Sequence, residues 1–209
     1  MLTESFELKE NGSIDIPLWL KKSIVINNNK YQMGIGGLHS QETCKNIQSK
    51  DGYQLSDFDV ASYYPSIILH QKLAPESMGK DFLDLYAQIV KERIIAKNKA
   101  AELKSQLKKL PANTDESVKA EMLAQIRKYT IESDVKKIEI NGSFGKFGSK
   151  YSALYSPELL LQTTLTGQLA LLMLIERLEL AGIEIISANT DGIVTYYHES
   201  RSEEHTSEL

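Results

Sequence analysis

The 209-residue sequence predicts an α+β fold: an antiparallel sheet packed on helices, with a protruding two-helix hairpin. Three observations predict it. Ile186–Tyr197, ISANTDGIVTYY, sets the polar tetrad Asn189-Thr190-Asp191-Gly192 between two β-branched runs, which is the pattern of a tight antiparallel hairpin. Residues 80–140 carry apolar positions at helical spacing on both sides of Pro111-Ala112-Asn113. The stretch TLTGQLALLMLIERLELA, residues 164–181, is apolar on most sides and must be largely buried.

Taken in order, residues 1–58 alternate short apolar runs with turns at Asn11-Gly12, Asn27-Asn28-Asn29, Gly34 to Gly37 and Asp51-Gly52, so they read as strands and loops. Gly34-Ile35-Gly36-Gly37 lacks the third-glycine spacing and following helix of a dinucleotide-binding loop. Residues 59–73 begin as a strand and turn at Tyr64-Pro65, where proline ends regular pairing. Leu103, Leu107 and Leu110 close the first helix of the hairpin. Thr114 or Asp115 caps the second, with Val118, Met122, Ile126 and Tyr129 as its apolar stripe. Residues 141–152 are rich in Gly and Ser, with Gly142, Gly145 and Gly148 at a three-residue interval. Ser156 followed by Pro157 then marks a helix start that runs to about Ala181. This divides the chain into 1–79, 80–141 and 142–200. The last nine residues, RSEEHTSEL (201–209), are polar and uncapped and read as translated sequencing-adapter read-through, so the natural chain is expected to continue past Ser200.

Apolar content of 42% and charged content of 25% are those of a globular protein. A single cysteine, Cys44, excludes an internal disulfide and a thiolate metal cluster. No basic flank with an apolar block opens the chain, and no apolar run reaches the ~20 residues of a membrane span. The expectation is a cytoplasmic protein with no membrane partner. Net charge is −4, yet Lys91–Lys137 holds twelve Lys/Arg against seven Asp/Glu, a local basic surplus suited to phosphates. His39, His70 and His198 share no metal-ligand spacing.

Asp59 and Asp191 are both acids at strand ends. If their strands are neighbours, two carboxylates face one point, which suits Mg²⁺, a cation that takes one or two carboxylates plus waters and phosphates. Singly, each is an ordinary turn former. Arg93 and Lys97 are four apart on the first helix, and Lys137 and Asn141 four apart on the second. In an antiparallel hairpin opposed positions share a midpoint, which places Arg93 opposite Lys137, about 33 Å from the tip. Cations there, beside a two-carboxylate metal site, would make a triphosphate clamp; the alternative is ordinary helix-surface charge.

Four motifs in one order carry a resemblance. DVASYYPSII from Asp59 resembles motif A of the family B DNA polymerases, D-x-x-S-L-Y-P-S-I. Arg93 and Lys97 match the R-x-x-x-K pair of the fingers helix. KIEINGSFG, Lys137–Gly145, resembles motif B, K-x-x-x-N-S-x-Y-G, and Asn189-Thr190-Asp191-Gly192 resembles motif C, D-T-D-S. The resemblance covers roughly residues 30–197 and is closest to phage-type members. It implies a palm (antiparallel sheet) and fingers (helical hairpin) fragment, truncated, with exonuclease upstream and thumb downstream. It also implies a DNA-directed DNA polymerase acting as a monomer on primer-template DNA and dNTPs, in the bacterial host cytoplasm if phage-encoded.

By the same resemblance, Asp59 and Asp191, with the carbonyl of Val60, would hold two Mg²⁺ ions. The backbone amides of Ser62, Tyr63 and Tyr64 would cradle phosphate oxygens, and Tyr64 would be the gate that rejects a ribose 2′-hydroxyl. Arg93, Lys97, Lys137 and Asn141 would hold the triphosphate. Gly142, Phe144, Gly145 and Thr190 would meet the primer-template or nascent base pair. His39-Ser40, after the glycine cluster, loosely resembles an element that touches template. The chain departs from the family at Tyr63 for Leu, Gly142 for Ser, Phe144 for Tyr and, most consequentially, Asn189 for the first acid of motif C. That last change motivates the alternative of a non-catalytic, polymerase-like nucleic-acid-binding module.

Overall fold

The computed structural model describes residues 6–10, 12, 14–15, 17–42, 46–111 and 113–201. Cys44 and residues 202–209 of the terminal stretch lie outside them; Arg201 ends a 3₁₀ turn, Glu199–Arg201. The protein is α+β, and it divides into two compact units, Met1–His70 with Ser156–Leu209, and Gln71–Tyr155.

In the first unit a small ribbon pairs β1 (Glu7–Leu8) with β2 (Ile14–Asp15). The main sheet contains β3 (Ile24–Ile26), β4 (Asn29–Gln32), β5 (His39–Ser40), β6 (Tyr53–Asp59), β7 (Glu184–Asn189) and β8 (Gly192–His198). Its order is β3-β4-β5-β7-β8-β6, antiparallel throughout. Alternation along β8 buries Ile193, Thr195 and Tyr197, the period-2 pattern of a strand with one face on a core. That core joins Tyr31, Leu38, Ile183 and Ile185 of the sheet side to Leu161, Leu165, Leu171, Ile175 and Leu178 of the long helix α4 (Pro157–Leu180).

Several sequence expectations change here. Tyr64-Pro65 does not end a strand. The chain turns at Ala61-Ser62, with Ser62 in the left-handed region (φ 57°), and α1 (Tyr63–His70) begins immediately. Pro65 sits in the first helical turn, where no amide donor is needed. α4 does start at Ser156-Pro157, but the Ser156 side chain makes no capping bond. By length and composition α4 could cross a membrane, contrary to the reading that no run is long enough; half of its apolar window is buried in the protein. It is also not buried all round, since Leu169, Met173 and Leu180 face outward.

The second unit is an antiparallel helical hairpin, α2 (Gly79–Lys108) and α3 (Glu116–Lys146). Asp115 is the cap, its carboxylate accepting from the Ser117 amide at 2.9 Å, and this bond holds the carboxyl below its usual range. On α3 the buried positions Ile126, Ser133 and Ile140 recur every seven residues, and Phe147 continues the series just past the helix end. They face Phe82, Tyr86, Val90, Ala96 and Ala100 of α2, a coiled-coil-like seam. Met122, Ile126 and Tyr129 lie on or beside it, but Val118, in the first turn of α3, is exposed. The second helix also runs past residue 141, where the hairpin was expected to end; α3 continues through Gly142 and Gly145 to Lys146.

Candidate functional site

The sheet answers whether the strands of Asp59 and Asp191 adjoin. β6 pairs with β8 along its whole length, from Tyr53 opposite His198 to Asp59 opposite Gly192. Beyond the last pair the Val60 amide donates to the Asp191 carbonyl at 2.9 Å. Asp59 thus ends β6 and Asp191 precedes β8 at the same end of the sheet. Gly192 is what permits this closeness, since a Cβ there would overlap Oδ1 of Asp59. Asp59 is exposed and Asp191 half-buried, and among the described residues no cationic side chain makes an ion pair with Asp59.

The turn itself is tight. Asn189 and Gly192 are the closing pair, Thr190 is left-handed (φ 58°), and the Asp191 amide donates back to the Asn189 carbonyl at 2.7 Å. The Thr190 amide donates to the Leu38 carbonyl at 2.8 Å, and its hydroxyl to Oδ1 of Asn189 at 3.1 Å. On the far side His39 pairs with Asn189, and the Ser40 hydroxyl both accepts from the Ala188 amide at 2.7 Å and donates to the Ala188 carbonyl at 3.0 Å. The His39-Ser40 element therefore lies directly beside the turn.

Ser62, Tyr63 and Tyr64 open α1 in the same unit. The Tyr63 hydroxyl donates to the Gly167 carbonyl at 2.6 Å, and the Tyr64 hydroxyl to the Gly36 carbonyl. Burial, and then the negative charge of Asp191, push both phenols up to about 12. Gly167 makes room for them, since a Cβ there would come within 3.1 Å of the Tyr63 ring and 3.3 Å of the Tyr64 ring.

The remaining candidates belong to the second unit. Opposed positions are Glu92 with Lys136, Lys99 with Tyr129, and Tyr86, whose hydroxyl donates to the Ile140 carbonyl at 3.4 Å. These contacts shift the register by about half a helical turn from the one that sets Arg93 level with Lys137. The hairpin turn is centred nearer the N-terminus than residue 115, because α2 ends at Lys108 and the connection is short. The Glu92–Lys136 ion pair marks one flank of the hairpin; their hydrogen bond holds the Glu92 carboxyl low and raises the Lys136 ammonium. At 100° per residue, Lys97, Lys137 and Asn141 fall on the other flank, with Arg93 in the seam between them. Lys97, Lys137 and Asn141 are exposed and Arg93 is half-buried. Gly142 and Gly145 are exposed, and apart from the adjoining backbone of α3 nothing lies within 4 Å of where a Cβ would sit. Phe144 is half-buried and packs edge-on to Phe147, 6.2 Å between centroids.

Sequence reasoning missed Gly192, Gly37, Gly167 and Gln168. Gly37 lies so close to Thr190 that a Cβ would be 2.7 Å from the threonine hydroxyl oxygen. Only the glycine cluster and the position of Gly192 inside motif C hinted at this; a buried glutamine on an apolar helix gives no local signal. Among the described residues, no group of three or more His, Cys, Asp or Glu comes together, so the acid set at the turn is two carboxylates. No protein-family model matches the chain, and no curated protein matches it.

Proposed function

We propose that this chain is the palm and fingers part of a family B-type DNA-directed DNA polymerase, which joins a dNTP to a primer 3′-hydroxyl with two Mg²⁺ ions. The observation that carries the reading is the β6–β8 register, which brings Asp59 and Asp191 to one end of the sheet with glycine cleared between them. The donor set fits the cation. Two hard carboxylates at an open edge, without a third acid, suit an ion that keeps waters and accepts substrate oxygens. Bound Mg²⁺ would favour the 3′-alkoxide and offset charge on the departing pyrophosphate.

The chain's own residues would do the rest. Asp59, Asp191 and the Val60 carbonyl would hold and orient the ions. The start of α1, at Ser62, Tyr63 and Tyr64, presents backbone amides of the kind that bind phosphate. Tyr64, fixed at its hydroxyl by Gly36 and against Gly167 at its ring, would hold a rigid surface against a ribose 2′-hydroxyl. Lys97, Lys137 and Asn141, with Arg93, would bind triphosphate oxygens through the second unit. Gly142 and Gly145 support a close external partner. Glycine inside a helix costs about 0.5–1 kcal/mol relative to alanine, and nothing within the protein requires it at either position.

The competing reading, a non-catalytic nucleic-acid-binding module, rests on Asn189. Its amide oxygen is engaged by Thr190, so it acts within the turn. An amide there also lessens repulsion between neighbouring carboxylates, which is compatible with catalysis. The deciding experiment measures Mn²⁺ binding by electron paramagnetic resonance and Mg²⁺-dependent primer extension, for the protein and for Asp59→Asn, Asp191→Asn and Asn189→Asp. Polymerase chemistry requires a saturable cation site lost in both aspartate variants. A protein that binds no cation, or that extends primers only after Asn189→Asp, sinks the polymerase reading.

A further inference from the structure

We propose that Gln168 is a positioning residue for the cation-binding turn, acting through the Gly34–Gly37 loop. The inference rests on the reading of Asp59 and Asp191 as a divalent-cation site. Gln168 lies on α4, is 1% exposed, and uses its whole amide. Its oxygen accepts from the Gly34 amide at 2.8 Å, while its nitrogen donates to the Gly34 carbonyl at 2.8 Å and to the Thr164 carbonyl at 3.1 Å. A side chain that satisfies both backbone groups of one residue fixes that residue's position and orientation together. The loop so held is fastened a second time, two residues on, where the Gly36 carbonyl accepts the Tyr64 hydroxyl. One residue further, Gly37 packs directly on the Thr190 side chain, and the Leu38 carbonyl accepts the Thr190 amide at 2.8 Å. Gln168 thus reaches the Thr190-Asp191 turn through five consecutive residues, without touching it.

The chemistry makes the glutamine hard to replace. Glutamate at 168 could accept from the Gly34 amide but could not donate to either carbonyl, and it would bury a charge. Methionine keeps the length and shape and removes all three bonds. The loop would then lose its hold at Gly34 and keep only the Gly36–Tyr64 and Leu38–Thr190 bonds, so that Gly37 is held less firmly against Thr190. Groups that orient cation ligands typically change metal affinity by about 10–100-fold when removed.

The test compares the full chain with Gln168→Met and, as a control for general loss of stability, with the remote core variant Leu178→Ala. Mn²⁺ affinity is measured by electron paramagnetic resonance, and amide shifts of Thr190 and Asp191 by ¹⁵N-resolved NMR. The expected result is a folded Gln168→Met protein with affinity reduced roughly ten-fold and shifted Thr190 and Asp191 amides, while Leu178→Ala leaves both unchanged. Unchanged affinity and unchanged amides in Gln168→Met overturn the inference. If the parent protein binds no Mn²⁺, the functional reading fails by itself. The two amides then decide the positioning role, moved for it and unmoved against it. Should Gln168→Met not fold, Tyr64→Phe releases the same loop from its other fastening, and the same readouts apply.

Discussion

At the residue scale, the carboxylate of Asp191 is sensed by its neighbours. Tyr63 and Tyr64 ionise at about 12, first because they are half-buried and then because Asp191 opposes a second negative charge. Since the folded values lie above the ordinary value near 10, the stability these phenols contribute is complete below pH 10. It is lost as pH rises from 10 through 12. Asp191→Asn removes the charge but not the burial, so both midpoints should fall toward 10 without reaching it. Tyrosinate absorbance, assigned with Tyr63→Phe and Tyr64→Phe, measures this, and an unmoved titration would separate Asp191 from the tyrosines. Gly192 gives a second expectation. Gly192→Ala places a methyl group against Oδ1 of Asp59, so the carboxylate must swing away or β6 must part from β8; Mn²⁺ affinity should fall by about 10-fold or more, with little effect on the second unit. The aspartates were legible in the sequence because acid, turn and strand type coincide locally. Gly192, Gly37 and Gln168 were not, because their roles exist only once β6 meets β8 and the glycine loop meets α4.

Among the elements, α3 shows where local reading stops. Its cap at Asp115 was legible from residue type, and its register against α2 was missed by a small margin, because a midpoint estimate depends on where a short connection turns. Its continuation through Gly142 and Gly145 ran against composition; the seam residues Ile140 and Phe147, one on each side, keep the helix in place. Gly142→Ala and Gly145→Ala should therefore each stabilise α3 by about 0.5–1 kcal/mol, since the added methyl meets nothing. On the proposed function the same changes should weaken dNTP or primer-template binding. Urea unfolding combined with fluorescence anisotropy checks both, and stabilisation with unchanged binding would remove the argument that a partner approaches these glycines. By contrast Ile140→Ala, at a position 2% exposed, should cost about 2–5 kcal/mol through the cavity it leaves.

For the whole molecule, the two units differ in how they are built. The first gathers both flanks of the chain, Met1–His70 and Ser156–Leu209, around one core cluster that runs from Leu20 to Tyr197. Its sheet order alone requires this, because β5 and β6 from one flank bracket β7 and β8 from the other. The second, Gln71–Tyr155, is contiguous, and its stability rests on the single seam between α2 and α3. Two helices meeting along one seam bury little per residue, and Leu85, Leu123, Ile131, Val135 and Ile138 of this unit remain exposed. Small cores are marginal, so the hairpin should unfold at lower denaturant than the sheet unit. Two-state behaviour is not expected of a chain with two separate cores. Helical circular dichroism at 222 nm should fall in two steps, the first coinciding with loss of the native amide NMR signals of Lys99 and Tyr129 in the hairpin and the second with loss of those of Tyr53, Tyr196 and Tyr197 in β6 and β8. Ile140→Ala should move the first step alone and Ile175→Ala, in the α4 core, the second alone. A single transition shifted equally by both variants would mean that the units unfold as one cooperative body.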